Sequence, residues 1–223
     1  MRYFFYASII VIASAIKITP CENERLKKTC GKTNRGPSFK SWGGRQVRKN
    51  EFPWLTSVMA NGKICSGALI SQRHVITAAH CVANVYHVNE TEHCVGQKPG
   101  KLLRVDVGNL KKYLVHVGSG CSHPRKCHKQ RNVAKVTPHP LYKMHCEKRK
   151  DIAIIEFDKD ISESEATPIC TANSTTEVQR ILQAAGQGID RGFRVSSVSF
   201  LLHQFKGSKN KRIEKEPKPN QCS

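Results

Sequence analysis

Residues 65–81 have the sequence CSGALISQRHVITAAHC, in which two cysteines bracket apolar, strand-like runs. His80 stands immediately before the second cysteine, Cys81. A histidine in this position has packed strands before it and a covalent crosslink beside it. A general base needs such fixed geometry, because proton transfer depends on position before it depends on pKa. The stretch therefore makes His80 a candidate general base and predicts strands around it.

Short strand-like segments surround this stretch on both sides. Residues 52–60 are largely apolar and lead into Asn61-Gly62, a strong signal for a two-residue hairpin turn, with residues 64–70 as the return strand. Further strands are predicted over residues 75–79, 103–107, 113–117, 133–136 and 152–157. No helical periodicity of useful length occurs. Several short strands separated by turns indicate an all-β sandwich or barrel, and 223 residues suffice for one large or two small domains of this class.

The segments outside these strands are polar and basic. Residues 20–40 are punctuated by Gly and Pro and read as a pro-segment or N-terminal arm, with Lys40 as a plausible processing point. Residues 84–101, 119–132 and 143–150 read as surface insertions that contain Cys94, Cys121, Cys127 and Cys146. These four cysteines are expected to crosslink their loops either to one another or internally. Residues 206–219 are rich in Lys, Glu and Pro, a composition that predicts a disordered tail.

The N-terminus has the pattern of a secretory signal over residues 1–19. Arg2 supplies the positive start, residues 3–16 are uncharged, and small residues at 13–15 offer a cleavage site. The uncharged run is shorter than the ~20 apolar residues that a spanning helix needs, so a membrane anchor is not predicted. Ten cysteines fit this interpretation, because secreted chains meet an oxidising compartment in which cysteines pair. We therefore expect a secreted, extracellular protein.

The chain is strongly basic, with 37 Lys+Arg against 17 Asp+Glu and a formal net charge of +20. Such a charge favours acidic partners, and the loop 143–150 and the tail 206–218 are the candidate polyanion-binding segments. The alternative is a solvated basic surface of a secreted protein. Neither segment interleaves aromatic residues suited to base stacking, so nucleic acid is not a predicted partner.

One group of Cys and His residues offers the ligand types of a zinc site, with disulfides as the alternative. The candidate ligands are Cys121, His123, Cys127, His128, His139, His145 and Cys146. An oxidising compartment favours disulfides, and the spacing shows no compact tetrahedral pattern. No metal and no cofactor is predicted.

Several blocks, in the right order, resemble the chymotrypsin-like (trypsin-family) serine endopeptidases. The block at 65–81 is similar to the family's catalytic-histidine block and is its most specific match. Asp151-Ile152-Ala153-Ile154-Ile155 resembles the catalytic-aspartate block. The remaining matches are Gly43-Gly44, Phe52-Pro53-Trp54, residues 136–142, Pro168-Ile169-Cys170 and, weakly, residues 185–188. The resemblance covers about residues 41–188.

The resemblance implies a fold, a chemistry and two disulfides. The fold is an antiparallel barrel of the chymotrypsin type, with a second barrel largely missing. His80 is the general base and Asp151 the carboxylate that orients it, acting on a protein or peptide substrate. The implied disulfides are Cys65–Cys81 and Cys30–Cys170, the second of which tethers the pro-segment.

The sequence departs from the family in its nucleophile. The Gly-Asp-Ser-Gly-Gly block does not occur in it, and Ser196, Ser197, Ser199 and Ser208 lack the flanking glycines that aim backbone N–H groups at an oxyanion. Cleavage after Lys40 would expose Ser41-Trp42 where the family has Ile-Val, which puts zymogen activation in doubt.

The domain organisation follows from these matches. We expect a signal peptide over 1–19, a pro-segment over 20–40, a partial protease domain over 41–188 and an unrelated basic tail over 189–223. The chain is then a protease homologue without hydrolytic activity. The alternative is a non-catalytic secreted protein that uses its basic loops to bind polyanions or protein partners.

Overall fold

A computed structural model describes residues 18–33, 45–84, 105–121, 123–142, 150–172, 176, 181–188 and 199–206. The predicted signal segment up to residue 17, most of the insertion 84–101, the basic loop 143–149 and the tail after residue 206 lie outside these residues. Within the described part of the chain, no helix has both the length and the hydropathy required to cross a bilayer.

The main body is a curled, antiparallel, six-stranded sheet. Its strands are β2 (Leu55–Ala60), β3 (Lys63–Leu69), β4 (His74–Thr77), β5 (Leu114–Val117), β6 (Val133–Pro138) and β7 (Ala153–Phe157). The spatial order is β5-β2-β3-β4-β7-β6, so the histidine block supplies two adjacent strands near the middle. This half-barrel confirms the predicted all-β, chymotrypsin-like fold.

The hairpin between β2 and β3 forms at the predicted turn. Ala60 pairs with Lys63 across it. Asn61 and Gly62 have φ angles of 49° and 78°, the left-handed conformation that a two-residue turn needs at both central positions. The turn therefore fixes which residues of β3 face each side of the sheet.

The apolar core is built mainly from the strands of this sheet. Its fully buried side chains include Val58, Leu69, Val75, Val115, Ile155 and Phe157. Gly67 lies where β3 and β4 approach closely, since a Cβ there would come within 2.7 Å of Val75 Cγ1 and 2.9 Å of the Ile76 carbonyl oxygen. The glycine of the histidine block is thus required by packing beside the core.

A second, three-stranded sheet has the order β1-β9-β8 and consists of β1 (Arg45–Gln46), β8 (Ile181–Gly188) and β9 (Ser199–Lys206). The weak family match at 185–188 falls within β8. β9 lies in the segment 189–223 that the sequence assigns to an unrelated tail, yet it pairs with β8 along its whole length and with β1. The sheet therefore continues past the predicted boundary at residue 188. This sheet approaches β3 at Gly186. A Cβ atom added to this glycine would lie only 3.1 Å from Ser66 Oγ.

The N-terminal arm contains a helix that the sequence pattern did not predict. Helix α1 (Pro20–Thr29) is capped by Thr19, whose hydroxyl oxygen accepts a hydrogen bond from the Glu22 N–H at 3.2 Å. Leu26 is its buried side chain, so the helix lacks the apolar stripe by which amphipathic helices are recognised. The Cys30–Cys170 disulfide ties the end of this helix to the body.

The predicted strand over residues 103–107 is wrong for its described part. Residues 105–107 form no strand. Their polar groups have other partners, because the Asp106 carbonyl accepts from the Asn84 N–H at 2.8 Å and the Val107 carbonyl accepts from the Tyr113 hydroxyl at 2.7 Å. The alternating pattern therefore reflects half-buried loop residues.

The described disulfides confirm both pairings that the resemblance implied. Cys65–Cys81 joins β3 to the segment after β4, and Cys30–Cys170 joins the arm to the body. Cys121–Cys127 closes an insertion internally, which was one of two alternatives for those cysteines. Cys21 is also disulfide-bonded.

Candidate active site

His80 lies on a short helix directly after β4. This helix, α2, spans Ala79–Val82 and is closed by a hydrogen bond from the Ala83 N–H to the Ala79 carbonyl at 2.9 Å. Cys81 is buried and crosslinked to Cys65 of β3. The His80 side chain, by contrast, is 56% exposed. The backbone is thus fastened to the core while the imidazole projects outward.

Asp151, at the entrance to β7, contacts His80 twice. One carboxylate oxygen, Oδ1, accepts from the His80 backbone N–H at 2.8 Å, and the other, Oδ2, lies 2.7 Å from ring nitrogen Nδ1. Because an ionised carboxylate only accepts hydrogen bonds, Nδ1 carries the proton in this contact. The second ring nitrogen, Nε2, is then unprotonated in the neutral ring and available to accept a proton.

The surroundings of Asp151 favour its ionised form. Partial burial alone would raise its pKa. Hydrogen bonds from the His80 ring and from the backbone N–H groups of His80 and Ala79 outweigh that effect and hold the pKa of Asp151 below its ordinary value. Asp151 therefore places a fixed negative charge beside the His80 ring, which would stabilise an imidazolium cation.

Three side chains that sequence reasoning did not assign to the site converge on the carboxyl end of α2. Lys63 Nζ donates to the carbonyls of His80 and Ala83. Asn61 Nδ2 and the Tyr113 hydroxyl both donate to the Val82 carbonyl, at 2.8 and 3.2 Å. Burial, reinforced by the charge of Asp106, raises the pKa of Tyr113 to about 12, so its hydroxyl remains a donor at neutral pH. The Asn61-Gly62 turn was recognised as a turn, but no local pattern signals these long-range contacts.

The sulfur atoms beside His80 are not free to bind metal. Cys65, His80 and Cys81 place one potential ligand atom each within 4.8 Å of one another. Both sulfurs belong to the Cys65–Cys81 disulfide, which leaves no thiolate. Cys121 and Cys127, two of the candidate zinc ligands in the sequence, are likewise bonded to each other.

A second serine–histidine contact lies inside the fold. Ser71 Oγ is 2.7 Å from His74 Nδ1 and also accepts from the backbone N–H groups of Arg73 and His74. Both accepting positions of the oxygen are used, so its proton points to Nδ1. Ser71 is fully buried and His74 nearly so. The contact closes the turn before β4 and is out of reach of a substrate.

Comparison with known proteins points to one family. The sequence model of the trypsin family matches residues 41–215. Coagulation factor IX of Oryctolagus cuniculus is 29% identical over 176 residues, covering 73% of this chain and 54% of that protein. Phenoloxidase-activating factor 3 of Holotrichia diomphalia is 28% identical over 195 residues, covering 81% and 50%. Hypodermin-A of Hypoderma lineatum is 31% identical over 121 residues, covering 54% and 37%. The chain thus spans about half the length, or less, of these relatives.

Proposed function

Since this chain belongs to the trypsin family of serine proteases, we propose that it is a secreted protease homologue in which His80 and Asp151 are the inherited pair of the catalytic triad. The observation that carries the proposal is the two-point contact between them, at 2.7 and 2.8 Å. The contact through Nδ1 leaves Nε2 pointing away from the carboxylate. That is the arrangement in which imidazole accepts a proton from a hydroxyl and a carboxylate stabilises the resulting cation.

The role of the pair depends on a nucleophile. In triad chemistry the serine oxygen attacks a peptide carbonyl, Nε2 takes the serine proton, and the leaving amine then receives it. The 223 residues contain no Gly-Asp-Ser-Gly-Gly block to supply that serine and its oxyanion donors. We therefore propose that these residues by themselves do not hydrolyse peptides, although protein or peptide segments are the class of molecule that the family's site would contact.

The remaining parts of the proposal concern export and processing. Three described disulfides are typical of a chain that folds in an oxidising compartment. Together with the signal pattern over residues 1–19, they support an extracellular location. We further propose that residues 20–40 are a pro-segment ending at Lys40, held by the Cys30–Cys170 disulfide whether or not the chain is cut there.

Labelling with a fluorophosphonate probe tests the proposed lack of hydrolytic chemistry. The purified, disulfide-bonded chain should show no stoichiometric labelling, because its sequence contains no Gly-Asp-Ser-Gly-Gly block to supply the nucleophile. An active trypsin sample provides the positive control. Stoichiometric labelling that disappears in a His80→Ala variant would contradict the proposal and reveal a nucleophile elsewhere in the chain.

The charge of the chain supports a second candidate function, binding of a polyanion. The formal net charge is +20, and the described surface includes exposed Lys111, Lys112, Arg125 and Lys126. The two segments predicted to bind, residues 143–150 and 206–218, lie almost wholly outside the described residues. A cationic surface of this size attracts sulfated polysaccharides through long-range electrostatics that salt screens.

Chromatography on immobilised heparin tests this second candidate. We expect retention at low ionic strength, elution as salt rises, and weaker retention after deletion of residues 207–219, which leaves β9 intact. A variant that keeps the length of this segment but replaces its Lys and Arg by Gln separates charge from chain length. A chain that passes unretained at low salt would rule the function out.

A further inference from the structure

We propose that Lys63 is a positioning residue for His80, an inference that rests on the proposed role of the His80–Asp151 pair. Lys63 opens β3, and its ammonium lies 2.7 Å from the His80 carbonyl oxygen and 3.1 Å from that of Ala83. One side chain thus holds the peptide group of the candidate base and the residue that ends its helix.

The contact supplies what so short a helix lacks. α2 has four residues, and the carbonyls of a helix's last turn have no partners within the helix. Basic side chains near a carboxyl end can satisfy such carbonyls. The Val82 carbonyl is already taken by Asn61 and Tyr113. Lys63 satisfies two further carbonyls, that of His80 before Val82 and that of Ala83 after it.

Lys63 and Asp151 together hold His80 from both ends of its backbone. Asp151 accepts from the His80 N–H at 2.8 Å, and Lys63 donates to the His80 carbonyl at 2.7 Å. The imidazole is 56% exposed, so packing contributes little to its placement. With the backbone held at both ends, the side chain retains only its own torsions. The contact between His80 Nδ1 and Asp151 can then form without any loss of backbone freedom.

Alternative roles for Lys63 explain the geometry less well. A lysine that merely improves solubility would extend into water, whereas this ammonium turns back onto two carbonyls. An arginine also carries several donors on a long stem, so it should preserve the contact. Methionine has a similar apolar stem but no donor, so a methionine at position 63 should abolish the contact with the two carbonyls.

NMR of the full, disulfide-bonded chain with labelled histidine provides the test. The proton shared between His80 Nδ1 and Asp151 should give a downfield resonance that is lost in a His80→Gln variant. We expect the Lys63→Met variant to broaden and weaken this resonance, and Lys63→Arg to retain it. Lys126→Met, which removes an exposed lysine of the Cys121–Cys127 loop, serves as the matched control.

Amide hydrogen exchange measures the same effect at the backbone. The Ala83 N–H, which closes α2, should exchange about five- to tenfold faster in Lys63→Met. The Leu69 N–H, bonded to the Trp54 carbonyl at 2.8 Å in the core, should keep its rate.

The outcomes separate the two levels of the proposal. If the downfield resonance is absent from the unsubstituted protein, the His80–Asp151 pairing fails and the positioning role fails with it. If the resonance is present and unchanged in Lys63→Met, only the positioning role is overturned. Equal acceleration at Ala83 and Leu69 would also overturn it, because Lys63 would then contribute to general stability alone.

Discussion

Replacing Cys30 and Cys170 together by serine is expected to lower the free energy of unfolding by about 3 to 5 kcal/mol. The two cysteines are 140 residues apart in sequence, so their crosslink restricts most of the unfolded chain. It also holds the end of α1 against the body, where the Gly31 N–H donates to the Pro168 carbonyl at 2.8 Å. Urea denaturation of the oxidised protein and the double variant measures the difference.

The Cys121–Cys127 disulfide provides a matched control for this prediction. Its cysteines are only six residues apart, so removing both should cost less, about 2 kcal/mol in the same chain-entropy treatment. Equal losses from the two double variants would show that loop length does not govern the effect. A loss below about 1 kcal/mol from Cys30→Ser/Cys170→Ser would show that the arm and body are held mainly by other contacts.

Replacing Asp151 by asparagine is expected to lower the free energy of unfolding by about 1.5 to 3 kcal/mol at pH 7. Asparagine keeps the shape but loses a charge-assisted contact to the His80 ring, and its NH2 group faces a donor. The folded-state pKa of Asp151 lies below its ordinary value. Its contribution is therefore present above the unfolded pKa, about 3.9, and is lost as pH falls through the lower folded value. Urea denaturation at pH 7 and at successively lower pH values should show the gap between the two proteins narrowing.

Glu165→Gln is the control for the Asp151 prediction. Hydrogen bonds from Arg131 and Lys129 likewise lower the pKa of Glu165, and its side chain is about as exposed as that of Asp151. Its partners are side chains alone, whereas Asp151 also accepts hydrogen bonds from backbone N–H groups. Surface ion pairs contribute about 1 kcal/mol or less. A gap for Asp151→Asn that is no larger than this control, or that stays constant down to acid pH, would contradict the prediction.

The sequence predicts best what local patterns encode. Asn61-Gly62 demands a tight turn whatever surrounds it, and the turn sets the register of β2 and β3. The 65–81 block places Gly67 at a close approach and His80 beside a disulfide, so both the central strands and the candidate base follow from it. The contact with Asp151, 71 residues further on, was inferred from family resemblance and not from any local pattern.

The elements that were missed lack a strong apolar signal. Helix α1 has one buried side chain, Leu26, so no stripe reveals it. The start signal was nevertheless present, because Thr19-Pro20 followed by Glu22 is typical of a helix N-terminus. Strand β9 is only weakly apolar and is held by backbone pairing with β8 and β1. The role of Lys63 could not be predicted for another reason. Its partners, His80 and Ala83, are 17 and 20 residues away along the chain.

The spacing of Lys63 and Cys65 on β3 has a consequence for how this segment tolerates change during evolution. Alternate residues of a strand face the same side, so the ammonium and the sulfur both reach α2 from one face. An insertion or deletion of one residue between them would turn one of the two away from the helix. An insertion of two residues would keep the face but displace one contact by about 7 Å. Length variation among descendants of this chain should therefore accumulate in its insertions, and the interval between residues 63 and 65 should stay constant.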